Sequence, residues 1–385
     1  IRICGDAKMK LNEICEVYSG YALKKFNDIK DGMPVVKIGN IHVDGTLNLE
    51  MCQYTTEDVD KKYYSNKGDV YIALSGATTG KVGIMDTDDT YVINQRVGII
   101  RQKNNGIPQE YIKYFLLRQT DRIFKEATGC AQPNISPKQI ADYIVPDISK
   151  EKMYEICGIF NKIKKIIDSR NAEISALDNL IKARFVEMFG DPRSNPFGFK
   201  KMILKDTCKI ITGNTPSRAV DEYYGEFIEW IKTDNIVSGL LYPTKATEGL
   251  SEIGVKIGRT VDKDSILMAC IAGSIASIGR VCITDRRVAF NQQINAIIPQ
   301  KYNIHFLYVL LQISKDYLVE DINMALKGIL SKSKLEEKEF VVPPKELQEQ
   351  FAEFVHRVDK SKVVVQKSLD ETQMLFDSLM QKYFG

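Results

Sequence analysis

The chain has 385 residues, of which 44% are hydrophobic and 27% are charged, and its formal net charge at pH 7 is +3. This length allows two or three domains, and the composition is that of a globular protein rather than of a disordered chain. No apolar run approaches the roughly 18–20 residues that a membrane-spanning helix needs, so we expect no membrane contact.

Cysteine and histidine usage argues against a metal site. Eight cysteines are scattered without C-x-x-C spacing, and the three histidines, His42, His305 and His356, lie far apart in the chain. A zinc site needs closely spaced ligands, so we expect neither a metal site nor a His-based triad. No secretory signal is visible, and we therefore expect a cytoplasmic protein with reduced thiols.

Residues 1–148 are predicted to form a globule of mixed α/β (α+β) type. Short runs typical of strands, such as 69–74 and 97–100, alternate with turn signals. One helix is predicted over residues 109–125, because large apolar side chains recur on or near one face.

The stretch LSGATTGKVG, at 74–83, looks like a nucleotide-binding loop but lacks its spacing. A Walker A loop reads G-x-x-x-x-G-K-[ST]. Gly76 and Gly80 have only three residues between them, and Val82 follows Lys81 where a magnesium-binding hydroxyl is required. The stretch therefore predicts either a tight turn with an exposed cation or a turn that brings one positive charge to a polyanion.

A long helix is predicted over residues 149–190. Apolar side chains recur from residue 156 at intervals of four and three, and neither Gly nor Pro interrupts the pattern between 159 and 189. This heptad stripe predicts pairing with a second helix. The predicted pairing residues are Ile156, Phe160, Ile163, Ile167, Ile174, Leu177 and Ile181.

A turn-rich linker at 191–200 leads to a predicted second globule at 201–343. A second long helix is predicted over 344–385, where Pro343 and Pro344 mark its start. Its stripe is weaker than that of the first helix. The predicted pairing residues are Leu347, Phe351, Phe354, Val358, Leu375 and Leu379.

The second half of the chain repeats the first. The segments KIGNI (37–41), TGKV (79–82), NQ (94–95), IVP (144–146) and FG (189–190) return 195 to 199 residues later as KTDNI, IGRV, NQ, VVP and FG. Five matches in the same order indicate a tandem duplication. The second copy of the Gly-rich loop has wider glycine spacing and an arginine in place of the lysine, which excludes a shared triphosphate site.

The duplication predicts a fold of two α/β (α+β) globules joined by two long antiparallel coiled-coil helices, with an internal pseudo-two-fold repeat. Helices of this length would extend about 55–60 Å at ~1.5 Å per residue. Antiparallel pairing would hold the globules at opposite ends of a rod, whereas parallel pairing would crowd them. A rod with two similar but unlike readers suits a split DNA site, whose halves lie about one helical turn apart or more.

Polar side chains that could reach DNA occur in both globules, because Asn and Gln pair with adenine while Arg and Lys pair with guanine. The repeated candidates, expected to contact phosphates or to maintain the fold, are Lys37, Asn40, Lys81, Asn94 and Gln95, with Lys232, Asn235, Arg280, Asn291 and Gln292. The candidates for base choice, where the copies differ, are Lys24, Lys25, Arg96, Arg218 and Lys327. The alternative for each is a surface cation or a turn-forming asparagine.

Several stretches resemble the specificity subunit of type I restriction–modification enzymes. They are TGNTPS (212–217), the loop ending in GRV (279–281), AFNQQI (289–294) and FVVPPKELQEQ (340–350). Weaker equivalents in the first half are YSGYALKK (18–25), TGKV (79–82), VINQRV (92–97) and IVP (144–146). The resemblance spans essentially the whole chain, although the first half lacks the TPS motif and the glutamines after the proline.

The resemblance implies that each globule is a target-recognition domain for one half of an asymmetric, interrupted DNA site. It also implies that the helices set the spacer and bind two methyltransferase subunits, and that two restriction subunits complete the enzyme. S-adenosylmethionine, ATP and Mg would be bound by those partners, and this chain would hold no cofactor and perform no catalysis.

The chain lacks two sequence motifs of DNA methyltransferases, which agrees with the implication that it performs no catalysis. The chain contains neither the [DNS]-P-P-[YFW] motif nor an F-x-G-x-G loop. Three alternatives stay open: a recognition subunit of a type IIB- or IIG-like restriction system, a stand-alone DNA-modifying enzyme that uses the plentiful carboxylates, and a coiled-coil adaptor without DNA affinity.

Overall fold

The structure is a computed structural model that describes residues 8–103, 106–127, 133–320, 322 and 328–385. The chain divides into two compact units. The first comprises the described residues of Ile1–Ser169 together with Ser368–Gly385, and the second comprises those of Arg170–Lys367. Each unit therefore contains one globule and one half of each long helix.

The first unit is built on three small sheets. Its strands are β1 (Lys8–Lys10), β2 (Cys15–Ser19), β3 (Met33–Val36), β4 (Gln53–Thr55), β5 (Val70–Ala73), β6 (Val82–Ile84), β7 (Val92–Ile93), β8 (Val97–Gln102) and β9 (Ile144–Pro146). Its helices are α1 (Leu11–Ile14), α2 (Gln109–Arg118), α3 (Thr120–Glu126), α4 (Pro137–Ala141) and the first half of α5 (Lys150–Phe189). The sheet orders are β2-β8-β5-β6, β4-β3-β7 and β1-β9, and only β3 and β7 pair in parallel among these strands.

The second unit repeats this topology and adds one strand. Its strands are β10 (Lys201–Ile203), β11 (Cys208–Thr212), β12 (Tyr224–Ile231), β13 (Gly249–Leu250), β14 (Thr260–Val261), β15 (Ile266–Ala269), β16 (Val281–Ile283), β17 (Val288–Phe290), β18 (Ile294–Pro299) and β19 (Glu339–Val341). Its helices are α6 (Glu252–Ile257), α7 (Ile304–Ile313), α8 (Lys315–Val319), α9 (Lys332–Glu337) and the first part of α10 (Lys345–Phe384). The sheet orders are β11-β18-β15-β16, β13-β12-β17-β14 and β10-β19. The predicted internal repeat and the mixed α/β content are confirmed.

The central strand β5 explains why the sheet is apolar on both faces. Its side chains alternate, so Val70 and Ile72 face the helices and pack with Tyr111, whereas Tyr71 and Ala73 belong to the core shared with the second sheet. Strand β15 has the same arrangement in the second unit. A strand that is covered on both sides reads as a continuous hydrophobic run rather than as an alternating one.

The helices α5 and α10 are antiparallel, as predicted. Within the second unit, Lys362 Nζ lies 2.6 Å from Asp178 Oδ1. Farther along α5, the ring of Phe189 lies 5.5 Å from that of Phe351. The contact partner on α10 thus moves back along the chain as α5 advances.

The apolar stripes of the two helices pack against the globules as well as against each other. In the first unit, Phe160 is fully buried, and its ring lies 4.8 Å from Tyr114 of α2 and 5.3 Å from Phe376 of α10. In the second unit, the ring of Phe185 lies 5.4 Å from Phe306 of α7 and 5.5 Å from Phe351. Each buried aromatic side chain contributes about 1.5–3 kcal/mol, so these contacts stabilise the helix pair and the globule together.

Most of the predicted pairing residues are covered. Ile156, Phe160, Ile163, Ile167, Ile181, Phe351 and Val358 are buried, and Ile174, Leu177, Leu347, Phe354 and Leu379 are half-buried. The prediction for Leu375 is wrong, because this side chain is 51% exposed. The last turns of α10 instead present Phe376, Met380 and Phe384, at the four-residue spacing of one α-helical face, to the core of the first unit.

Gln348, the first glutamine after the proline pair, links two helix starts. Its side chain is buried, donates to the Pro343 carbonyl at 2.8 Å and accepts the Asn303 N–H at 2.8 Å. It therefore ties the start of α10 to the start of α7. Met153, the residue 195 positions earlier, is also buried but is apolar, which accounts for the missing motif in the first half.

None of the helices in the described ranges combines the length with the apolar character needed to cross a membrane.

Candidate nucleic-acid interface

Three loops from distant parts of the chain meet in each unit. In the second unit the N–H of Gly213 donates to the Ile294 carbonyl at 3.0 Å, and the N–H of Asn291 donates to the Ile231 carbonyl at 3.0 Å. We call residues 212–218, 230–235 and 290–293 the second loop cluster. Residues 19–25, 36–40 and 93–96 form the first loop cluster.

The first loop cluster has the same backbone connections as the second. The Gly20 N–H donates to the Val97 carbonyl at 2.9 Å, and the Asn94 N–H donates to the Val36 carbonyl at 3.0 Å. The duplication has therefore preserved the framework of these loops.

A close backbone approach requires the glycine of the TGNTPS motif. A Cβ atom at Gly213 would lie 2.1 Å from the Asn291 carbonyl oxygen, and one at Gly20 would lie 2.3 Å from that of Ile93. No side chain fits between these backbones. The glycines thus hold the first loop of each cluster against the Asn-Gln turn.

The four repeated asparagines form turns. Asn40 Oδ1 accepts the Lys37 N–H at 2.8 Å, and Asn235 Oδ1 accepts the Lys232 N–H at 2.9 Å. In the Asn-Gln turns, Asn94 Oδ1 accepts the Arg96 N–H at 3.2 Å, and Asn291 Oδ1 accepts the Gln293 N–H at 3.1 Å. This geometry gives all four asparagines a turn-forming role.

The repeated lysines have unlike partners. Lys232 Nζ donates to Glu248 Oε1, and Arg218 Nη2 donates to Glu248 Oε2 at 2.6 Å. These hydrogen bonds, that from Lys232 first, hold the pKa of Glu248 below its ordinary value. Lys37 Nζ instead donates to the neutral amide of Gln53.

The pKa of Lys37 is affected by its burial and by a nearby carboxylate. Its partial burial lowers its pKa, and the nearby Asp28 opposes that change. The lysine of the first loop cluster is therefore less fully compensated by acidic groups than its counterpart in the second.

Aromatic rings support these cations. Lys37 Nζ lies 3.5 Å from the centroid of the Phe26 ring. The Arg218 guanidinium lies 4.4 Å from the ring of Tyr224 and 5.1 Å from that of Trp230. Cation–π contacts of this kind hold a positive group in a fixed place while it stays accessible to a ligand.

The remaining candidates of the loop clusters have exposed side chains. Gln95, Arg96 and Gln292 lie at the Asn-Gln turns, and Thr215 Oγ1 donates to the side chain of Gln292. The backbone N–H groups of Lys24 and Lys25 donate to Glu57 Oε1 at 2.7 and 2.5 Å, which fixes that loop while leaving both side chains in solvent.

The Gly-rich stretch is the tight turn between β5 and β6. Gly80 and its counterpart Gly279 have φ values of 87° and 77°, a conformation that favours glycine. Lys81 follows this turn and is half-buried, while Arg280 Nε donates to the Ser277 carbonyl at 3.2 Å.

Arg280, the second-unit counterpart of Lys81, borders a groove beside the long helices. It lines this groove with Asp178 of α5 and Asp359 of α10, and no described residue of the second loop cluster lines that groove. The structure therefore associates Arg280 with the long helices. Lys327 lies outside the described residues.

Two features of the interface were not predicted from the sequence. Gln53 and Glu248 follow the repeated lysines at the same spacing of 16 residues, a regularity that the repeat could have revealed. An isolated bridge pairs Ser75 with Asn134 in the first unit, and the equivalent bridge pairs Ile271 with Ile329 in the second. These two pairs are polar in one copy and apolar in the other, so they add to the positions at which the copies differ.

We predict that Gly213→Ala distorts the second loop cluster, because the new methyl group would collide with a backbone carbonyl. Gly273→Ala is the matched control, since an added Cβ meets no atom within 4 Å there. Thermal unfolding should show a loss of several degrees for Gly213→Ala and little change for Gly273→Ala. Equal melting temperatures for the two variants would contradict the close approach.

Comparisons with known proteins give concordant results. A family model described as type I restriction modification DNA specificity domain matches residues 6–179 and again 196–371. The HindI specificity subunit of Haemophilus influenzae is 31% identical over 149 residues, which cover 37% of this chain and 31% of that protein. The MjaVIII specificity subunit of Methanocaldococcus jannaschii is 25% identical over 183 residues, covering 45% of this chain and 43% of that protein. The matched regions thus span less than half of these relatives.

Solved structures resemble the whole chain. The S subunit of a type I restriction–modification system from M. genitalium has a TM-score of 0.58 at 14% identity, covering 100% of this chain and 98% of that one. A chain from a study of complex assembly and conformational transition in the type I system has a TM-score of 0.54 at 14% identity, covering 98% and 97%. At this identity the likeness supports the fold alone.

Proposed function

Because the chain belongs to the family of type I restriction–modification DNA specificity domains, of which it carries two copies, we propose that it is the DNA-recognition subunit of such a system. The observation that carries this proposal is the loop cluster, built on the same framework in both units and bearing unlike exposed side chains. Each globule would read one half of a bipartite site. Since Arg96 has Gln293 at its equivalent position, and Gln53 has Glu248, the two half-sites should differ.

The different roles of the side chains in each loop cluster support direct readout of DNA bases. Asparagines and glycines fix the turns, while the side chains of Gln95, Arg96, Arg218 and Gln292 are exposed. Phosphate contacts position a protein on DNA, and amide or guanidinium contacts to base edges discriminate between sequences. We place the exposed side chains of Gln95, Arg96 and Gln292 against base edges, and the cations Lys37, Arg218 and Lys232 against the DNA backbone.

The helices are proposed to set the unread spacer. Both α5 and α10 have 40 residues, which corresponds to about 60 Å at ~1.5 Å per residue. A DNA turn rises ~34–36 Å, so helices of this length suit a site whose halves are separated by unread base pairs.

Two grooves of equivalent position support binding of two copies of one partner. The first groove lies within the first unit, and the second, which contains Arg280, lies within the second unit. The linings of the two grooves are related by the internal repeat. Six residues of the first groove have a counterpart 195 positions later in the second: Val43, Asp44, Leu117, Thr120, Lys164 and Ile167. Three more have a counterpart 195 positions earlier: Gln373, Phe376 and Asp377 correspond to Asp178, Ile181 and Lys182. We propose that a methyltransferase subunit docks at each groove.

Exposed apolar side chains on the long helices provide further contact area for such partners. They are Ile166, Leu180, Val186, Val363, Val364 and Met374.

We place the chemistry of the system on the partners. The methyltransferase subunits would bind S-adenosylmethionine, and two restriction subunits would use ATP and Mg in the complete complex. This chain would contribute recognition and assembly. Its described cysteines are free thiols, which suits the reducing cytoplasm in which we place it.

We predict that DNA binding requires both halves of the site. The target is first identified by mapping methylated adenines in the host genome, and duplexes with either half-site scrambled are then compared in gel-shift assays at fixed salt. Each mismatched base pair should cost about 1–3 kcal/mol of binding free energy. Equal binding of intact and scrambled duplexes would contradict the proposal, and methyl transfer by the isolated chain would favour the stand-alone enzyme.

We predict that one groove variant removes one partner copy. Asp377→Arg alters the first groove, and Lys182→Glu alters the equivalent position of the second; both side chains are exposed, so neither change should unfold the chain. Native mass spectrometry should find one methyltransferase subunit per chain for either variant and none for the double variant. Lys30→Glu, an exposed position outside both grooves, is the control and should retain two copies. Loss of both copies in a single variant would argue against independent docking.

A further inference from the structure

Glu248 and Gln53 lie beside the two loop clusters at equivalent positions but differ in charge. Each accepts a hydrogen bond from the lysine that lies 16 residues earlier, and the two residues are 195 positions apart. Glu248 accepts in addition from Arg218 at 2.6 Å. Gln53 donates its amide to Asp28 Oδ1 at 2.7 Å, so the hydrogen-bond chain from Lys37 to the Asp28 carboxylate passes through a neutral amide.

The carboxylate of Glu248 is held as a phosphate would be held. Its two oxygens accept from an ammonium and a guanidinium, the donor groups that bind phosphate oxygens in nucleic-acid complexes. The same cations lie over aromatic rings, the Lys232 ammonium 5.3 Å and the Arg218 guanidinium 5.1 Å from the ring centroid of Trp230. Arg218 is 55% exposed and Glu248 36% exposed at the side chain, so DNA can reach this group from solvent.

Building on the proposed function, we propose that residue 53 or 248 sets how strongly each half binds the DNA backbone. Glu248 competes with a DNA phosphate for Arg218 and Lys232, whereas Gln53 leaves Lys37 without a directly bonded carboxylate. The first loop cluster therefore contributes more salt-dependent affinity than the second. Glu248 acts by occupying its two cations in place of a phosphate, and it contacts no base itself.

The two copies supply their own reciprocal test. Glu248→Gln gives the second cluster the side chain of the first, and Gln53→Glu does the reverse. The readout is the dependence of the DNA association constant on salt concentration, for a duplex that carries both half-sites, with the chain in complex with its methyltransferase partner. Each additional phosphate contact steepens the logarithmic slope by about 0.9.

Glu248→Gln should steepen the slope by about one contact, which is about a three- to fourfold larger loss of affinity between 50 and 200 mM salt. Gln53→Glu should flatten the slope by a similar amount. Glu226→Gln is the matched control, because it makes the same chemical change at an exposed position of β12, the strand that pairs with β13 directly after Glu248. Its slope should equal that of the unaltered chain.

The outcomes separate the two proposals. If the unaltered complex shows no salt-dependent, site-specific binding, the proposed function itself is wrong. If it binds but Glu248→Gln leaves the slope unchanged or weakens binding, Glu248 serves to hold its cations in place and the competition is wrong. Should Glu248→Gln melt early, Gln53→Glu decides alone, and an unchanged or steeper slope for it overturns the inference.

Discussion

The hydrophobic core of each unit is completed by side chains from both long helices. In the first unit, Phe160 of α5 packs with Phe384 of α10, and both belong to the core that contains the sheet. In the second unit, Phe185 and Phe351 have the equivalent role. Each core therefore includes side chains of a helix that belongs mainly to the other repeat or begins there, which couples helix pairing to globule folding. The loop clusters depend on it, because the sheets that carry them rest on these cores.

The loop clusters combine a fixed framework with variable tips. Glycine at the backbone contact and asparagine in the turns are the same in both copies because the backbone geometry admits few other residues. The side chains around them differ: Gln53 against Glu248, and the Ser75–Asn134 bridge against Ile271–Ile329. Under the proposed function, a duplicated gene changes what each half recognises without changing how either half folds. One conserved framework, present twice, is thus compatible with two unlike half-sites.

The sequence predicted the features that depend on periodicity or repetition. It did not predict the features that depend on contacts between residues distant in the chain. The heptad stripes and the duplication predicted both helices and their antiparallel pairing. Leu375 was misplaced because the stripe of a helix that packs on a globule follows the 3.6-residue period rather than the heptad. The sequence left open whether the repeated asparagines contact DNA or form turns, because their partners in the turns are backbone groups, which a motif does not show. The link from Arg218 to Glu248 joins side chains 30 residues apart and is equally invisible in the motif.

The account is tested most directly by lengthening the two helices together. A seven-residue insertion in the middle of α5, with a matching insertion in α10, keeps the apolar faces in register and adds about 10 Å to the pair. Mapping of methylated adenines should then find both half-sites unchanged and the unread spacer longer by about three base pairs, at ~3.4 Å per base pair. An unchanged spacer, or a new half-site sequence, would contradict the claim that paired helices hold two independent readers.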